Sequence, residues 1–192
     1  MAIRFDAYME VLQRAATSTE ATKLDGATVA LDEGLDWVVQ QGQTAHRAGK
    51  KVMLVGNGGS AGITSHVAID MTKNGGVRAI ACNDGAALTC LGNDFGYEYT
   101  FAKQINFHGQ PGDILIAISS SGKSKNILLA TEAAREAGMA VITLSGFGAD
   151  NPLRRCGDVN FYVPSPEYGF VELSHVTLLH SIVDAMTETR SQ

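Results

Sequence analysis

The stretch that decides the fold is KKVMLVGNGGSAGITSHVAID, residues 50–70. It reads as a buried strand over 52–55, a glycine-rich turn over 56–60, and a helix that starts at the turn and carries His66 and Asp70. A strand feeding a glycine turn into a helix start is how α/β proteins hold phosphate. Glycine lets backbone N–H groups approach the anion, and the helix dipole favours its charge. The first expectation is a phosphate-bearing ligand beside Gly56, Asn57, Gly58, Gly59 and Ser60.

Outward from this stretch, the pattern of strand, turn and helix repeats to the end of the chain. Further strands are expected over 77–82, 114–119, 140–145 and 160–163, in short apolar runs with little alternation, as for strands buried on both faces. Helices are expected over 61–72, 86–92, 97–106, 124–137, 152–155 and 172–188. Upstream, residues 3–23 and 28–48 read as two leading helices, with Phe5, Met9, Leu12 and Leu31, Leu35, Val38 recurring at three- and four-residue spacing. Their apolar faces suit a sheet cap or a partner subunit. The expected class is α/β: a three-layer sandwich with a five-stranded parallel sheet flanked by helices.

At 192 residues, the chain is expected to form one domain, 1–192, with 1–48 as a helical extension. No apolar run reaches the roughly 18 residues of a membrane helix, and the amphipathic start does not read as a secretory signal; a cytoplasmic protein is expected. Cys82, Cys90 and Cys156 lack CxxC spacing, which argues against a disulfide framework and a cysteine zinc site. A formal net charge of −5 disfavours nucleic acid as a partner, and any phosphate must be held by local dipoles.

The second informative turn lies in DILIAISSSGKSKN, residues 113–126. Ser119, Ser120, Ser121 and Ser124 supply hydroxyls and N–H groups after a buried strand, a loop able to wrap phosphate with neutral donors, although serines at helix starts are also ordinary caps. SSSGKS ends like a nucleotide P-loop, but the glycine required five positions before Gly122 is Ala117, so that match fails. GNGGSA fits a short dinucleotide fingerprint whose acidic partner, Asp84, comes late. His66 and Asp70, spaced i, i+4, share one helix face, and the last helix carries Glu172, His175 and His180. Two imidazoles and two carboxylates, His66, Asp70, Glu172 and His180, form a ligand set that suits zinc or a similar divalent ion, provided the two helices meet.

Across nearly its whole length the chain resembles the sugar isomerase (SIS) superfamily and, within it, the phosphoheptose isomerases. The likeness runs in order through VGNGGSAGITSHVAID, LGNDFGYEYTFAKQI, GDILIAISSSGKSKNILLA, AREAGMAVITLSG and ELSHVTLLH. The resemblance implies that Ser119, Ser120, Ser121 and Ser124 grip a sugar phosphate. It implies that Asn57, Gly58, Gly59, Ser60, Asn93 and Asp94 bind the sugar, and that His66, Asp70, Glu172 and His180 hold zinc, with Glu172 also reaching the substrate. It assigns proton transfer to Asp70 and His180, a phosphorylated seven-carbon sugar as substrate, and a homotetramer with active sites at subunit contacts.

Three positions depart from the family pattern. Asp70 stands in place of Glu, Glu172 in place of Gln, and Gly169 where an acidic residue is common. The added charge at Glu172 would tighten a divalent cation and weaken its Lewis acidity. Asp70 is one methylene shorter, and a base misplaced by about 1 Å loses roughly a hundredfold in rate. The competing readings are a non-enzymatic SIS protein that binds a partner such as a replication initiator, and an isomerase of another phosphosugar.

Overall fold

The computed structural model describes residues 4–190. Helix α1 (Phe5–Thr17) leads into a hairpin of β1 (Glu20–Lys23) and β2 (Thr28–Val29), followed by α2 (Leu31–Arg47). The alternating region then runs β3 (Val52–Gly56), α3 (Gly59–Lys73), β4 (Ala79–Ala81), α4 (Gly85–Phe95), a 3-10 turn (Tyr97–Tyr99) and α5 (Thr100–His108). It continues through β5 (Ile114–Ser119), α6 (Lys125–Glu136), β6 (Ala140–Ser145), a second 3-10 turn (Pro152–Arg155), β7 (Val159–Tyr162) and α7 (Tyr168–Arg190).

Strands β3 to β7 are the five parallel strands that the apolar runs predict. The sheet has seven strands, however, in the order β2-β1-β7-β6-β5-β3-β4. This corrects the expectation of helix through residue 23 and again from residue 28; residue 3, the expected start of the first helix, lies outside the described residues. The physical reason is the edge of β7, which would otherwise present open N–H and C=O groups. Strand β1 pairs with it antiparallel from Glu20↔Tyr162 to Lys23↔Val159 and buries Ala21 and Thr22. The hairpin turns through Gly26 at φ +85°, with the Asp25 carboxylate accepting from the Ala27 amide.

Both faces of the parallel strands are covered, so alternate residues enter two separate cores. Val52, Leu54, Ile116 and Ile118 pack with Val38, Val67 and Leu179 of α2, α3 and α7. Met53, Val55, Leu115 and Ala117 pack with Phe101, Ile105 and Ile127 of α5 and α6. Three layers result, with α1 laid on α7 and the Tyr8 and Phe170 rings 4.8 Å apart. Among the described residues, no helix is long and apolar enough to cross a membrane.

Helix α7 is tied to the sheet by His175, which is fully buried. Its Nε2–H donates to the Ser145 carbonyl at the end of β6, 3.1 Å away, and its Nδ1 finds no partner. Burial brings His175 down from 6.5 to about 4, the bond to Ser145 offsetting part of the shift. The native ring therefore stays neutral above pH 4, whereas the unfolded chain takes up a proton below 6.5. Stability from this group is complete above pH 6.5 and is lost as pH falls towards 4, by up to about 3 kcal/mol. Urea unfolding followed by circular dichroism will show this fall, and His175→Gln, less stable at pH 7, will show a shallower one.

Candidate active site

The parallel strands change direction of progression between β3 and β5. From β3 the sheet continues outward to β4, and from β5 it continues the other way to β6 and β7. In open α/β sheets the crevice at the carboxyl ends of such neighbouring strands is where ligands bind. The register pairs Gly56 with Ile118, so the glycine turn and the serine loop leave the sheet side by side. Between them lies a cavity of about 250 Å³ whose walls include Asn57, Ser60, Ser120, Ser124, Tyr168 and Glu172. A larger cavity of about 710 Å³, beside Trp37 and the β1–β2 hairpin, shares no lining residue with these loops; of its charged lining groups, Lys23 pairs with Glu33 and Asp158 with Arg135, and Asp36 also lines it.

Two glycines in the turn, Gly56 and Gly58, are demanded by geometry: a Cβ on Gly56 would stand 2.8 Å from the Ser60 backbone. Gly58, at φ +54° and ψ −122°, occupies a conformation that side chains rarely adopt. A Cβ on Gly59 would stand 2.5 Å from the carboxylate oxygens of Glu172, so Glu172 of α7 lies directly against the turn.

The serine loop does not cap α6 through its side chains. Ser124 occupies the N-cap of α6 but makes no capping bond; its hydroxyl instead accepts from Ser119, 3.2 Å away. Ser121 accepts from the Lys123 amide. Ser120 is 5% exposed and its hydroxyl has no partner within the protein. A buried, unsatisfied hydroxyl beside a helix N-terminus is a donor held ready for an anion.

Further along the same two helices, α3 and α7 bring His66, Asp70 and His180 together. The His66 and His180 Nε2 atoms are 3.1 Å apart, and the Asp70 Oδ2 lies 3.3 Å from His66 and 4.0 Å from His180. Ligand atoms about 2 Å from a tetrahedral zinc sit about 3.3 Å from one another, so two imidazoles and a carboxylate at these separations fit a divalent ion and leave a coordination position open. Glu172 is not part of this group: it precedes His180 by eight residues, about 12 Å of helix.

Of the residues expected from sequence, Asn57, Gly58, Gly59, Ser60, Ser119, Ser120, Ser121, Ser124 and Glu172 line the cavity. Asn93 and Asp94 do not; both are exposed near the end of α4, bonded to each other. At Gly169 a Cβ would meet the Tyr8 hydroxyl at 3.3 Å, so α1 stands against this position. Sequence reasoning missed Tyr168, which lines the cavity because α7 starts four residues earlier than expected. It also missed Asn126 and Tyr97, which bond to Asn57. Their nearest signal was position: Asn126 follows Ser124 in the first turn of α6, and Tyr97 follows the GNDFG block.

A mostly parallel sheet flanked by helices, with a glycine turn and a serine loop opening together at its switch point, is the architecture of a SIS domain. The profile of the SIS domain family matches residues 8–146. The chain is 40% identical over 146 residues to the phosphoheptose isomerase of Campylobacter concisus, covering 73% of this chain and 77% of that protein. It is 35% identical over 189 residues to that of Shewanella denitrificans, covering 94% and 96%. The solved phosphoheptose isomerase of Neisseria gonorrhoeae superposes with a TM-score of 0.82 at 32% identity, covering 95% of this chain and 97% of that one. The chain belongs to the SIS domain family and, within it, to the phosphoheptose isomerases, a family of enzymes.

Because the Ser120 hydroxyl bonds to nothing in the protein, its removal costs no internal bond. Ser120→Ala will keep or raise the melting temperature while weakening inorganic phosphate binding roughly tenfold, measured by titration calorimetry. Unchanged phosphate affinity would remove Ser120 from the anion site.

Proposed function

We propose that the protein is an aldose–ketose isomerase that interconverts sedoheptulose 7-phosphate and D-glycero-D-manno-heptose 7-phosphate in the cytoplasm. The observation that carries the reading is that one helix, α7, reaches both places, with Glu172 in the wall of the serine-loop cavity and His180 in the cluster with His66 and Asp70. An extended seven-carbon phosphate ester reaches roughly 10 Å from phosphorus to its first carbon, on ordinary single-bond lengths. That reach matches the about 12 Å of α7 between Glu172 and His180. With the phosphate held by Ser119, Ser120, Ser121 and Ser124, the sugar is proposed to extend along α7 towards the cluster.

In the reaction, a base takes the proton from the carbon next to the carbonyl. The released pair forms the enediol double bond while the carbonyl oxygen gains a proton; the neighbouring hydroxyl then loses its proton as the other carbon is protonated. Asp70 and His180 are the pair proposed for this transfer, and their 4.0 Å separation serves two adjacent carbons. Glu172, against Gly59 and apart from the cluster, is placed to accept hydrogen bonds from sugar hydroxyls. A divalent ion such as zinc, held by His66, Asp70 and His180, would supply Lewis acidity to the sugar oxygens. Held this way, the phosphate needs no lysine or arginine in the cavity wall, which suits a chain with net charge −5.

The whole chain is proposed to act as one SIS unit within a homotetramer. Support comes from apolar side chains exposed on α1 (Phe5, Tyr8 and Met9) and beside the site (Ile69 and Leu173). Light scattering is expected to return a four-subunit mass; a monomer at working concentration contradicts the assembly. His180→Ala will lower kcat by roughly 10²- to 10⁴-fold with the melting temperature kept, and will weaken zinc binding by the chelator-treated protein in calorimetry. Full turnover of sedoheptulose 7-phosphate by His180→Ala would sink the mechanism, and turnover only of other sugar phosphates in a panel would move the substrate.

A further inference from the structure

We infer that Tyr97 and Asn126 are positioning residues that hold the Asn57 amide in one orientation toward the cavity, so that sugar recognition depends on this three-residue clamp; the inference rests on the phosphosugar reading above. The Asn57 and Asn126 side chains form a reciprocal pair: Asn57 Nδ2 donates to Asn126 Oδ1 and Asn126 Nδ2 donates to Asn57 Oδ1, each at 2.9 Å. The Tyr97 hydroxyl adds a third bond, donating to Asn57 Oδ1 at 2.8 Å. Both acceptor sites of Asn57 are thereby filled and one of its two N–H donors is used. The second N–H is the donor that a side chain lining the cavity keeps for a ligand.

Three separate segments meet in this clamp. Asn57 sits half-buried at the tip of a turn between Gly56 and Gly58. Asn126 is 3% exposed in the first turn of α6, directly behind the serine loop. Tyr97 is 61% exposed, so its ring contributes little to the core while its hydroxyl reaches the turn. The amide pair ties the glycine turn to the helix that carries the serine loop, and so fixes the width of the cavity between them. Ordering a polar side chain before the ligand arrives removes that cost from binding, an advantage of roughly 3- to 10-fold in affinity.

The test is a double-mutant cycle in the full-length, metal-loaded enzyme, with Tyr97→Phe, Asn57→Ala and the two combined, assayed on sedoheptulose 7-phosphate. Tyr97→Phe is expected to lower kcat/KM roughly 3- to 10-fold, mainly through KM, at an unchanged melting temperature. It is expected to leave the affinity for inorganic phosphate as in wild type, because the serine loop alone grips that ion. On the Asn57→Ala background the same change should cost nothing further, since Tyr97 acts through Asn57. An unaltered Tyr97→Phe enzyme, or an equal loss on both backgrounds, overturns the clamp while leaving the isomerase reading standing. Wild-type protein that neither binds nor turns over any sugar phosphate overturns both.

Discussion

A single buried carboxylate at the far end of the sheet sets the alignment on which the cavity depends. Asp113, 1% exposed, accepts from the Lys51 amide through one oxygen and from the Lys51 ammonium and the Gln110 amide through the other. Lys51 immediately precedes β3 and Asp113 immediately precedes β5, so this bond set pins the starts of the two strands level. Five residues later, equal rise along parallel strands delivers Gly56 beside Ile118, and the two loops open together. Removing the lysine would leave a buried charge without its counter-ion, at a cost of about 3–5 kcal/mol.

Above that anchor, polar groups in the sheet hold the loops from beneath. Asn160 of β7, fully buried, donates to the Thr143 hydroxyl at 2.9 Å and to the Ser145 hydroxyl at 3.3 Å on β6. Ser145 stands opposite Ser119 in the β5–β6 register and offers its carbonyl to His175. The base of the serine loop, the end of β6 and helix α7 are therefore one connected polar structure. Such a network is costly if broken, because a low-dielectric interior leaves each orphaned group without water.

Neither the Asp113 anchor nor this network was readable in the residues, but much of the fold was. The short apolar runs named the five parallel strands, since a strand buried on both faces has no alternation to hide, and the i, i+4 pair His66 and Asp70 announced a shared helix face. What stayed hidden had non-local causes. Strand β1 has the unremarkable sequence Glu-Ala-Thr-Lys and is a strand only because β7 offers it an edge. The approach of His180 to His66 across 114 positions, and the separation of Glu172 from both, depend on how α3 and α7 lie together, which spacing within one helix cannot express. Asn126 and Tyr97 looked like a helix residue and a turn residue until the fold set both beside Asn57.

The spacing between the cavity wall at Glu172 and the cluster at His180 is measured out along a continuous helix, and helices are graduated in fixed steps. Inserting one residue between Glu172 and His180 would lengthen the span by about 1.5 Å and also swing His180 by about 100° away from His66. A whole turn would restore the direction but overshoot by about 5.4 Å, several carbon–carbon bonds too far. Insertions and deletions thus offer no small adjustments here. Fine tuning is left to side-chain length, since one methylene more or less at Asp70 moves its carboxylate by only about one carbon–carbon bond relative to His66 and His180.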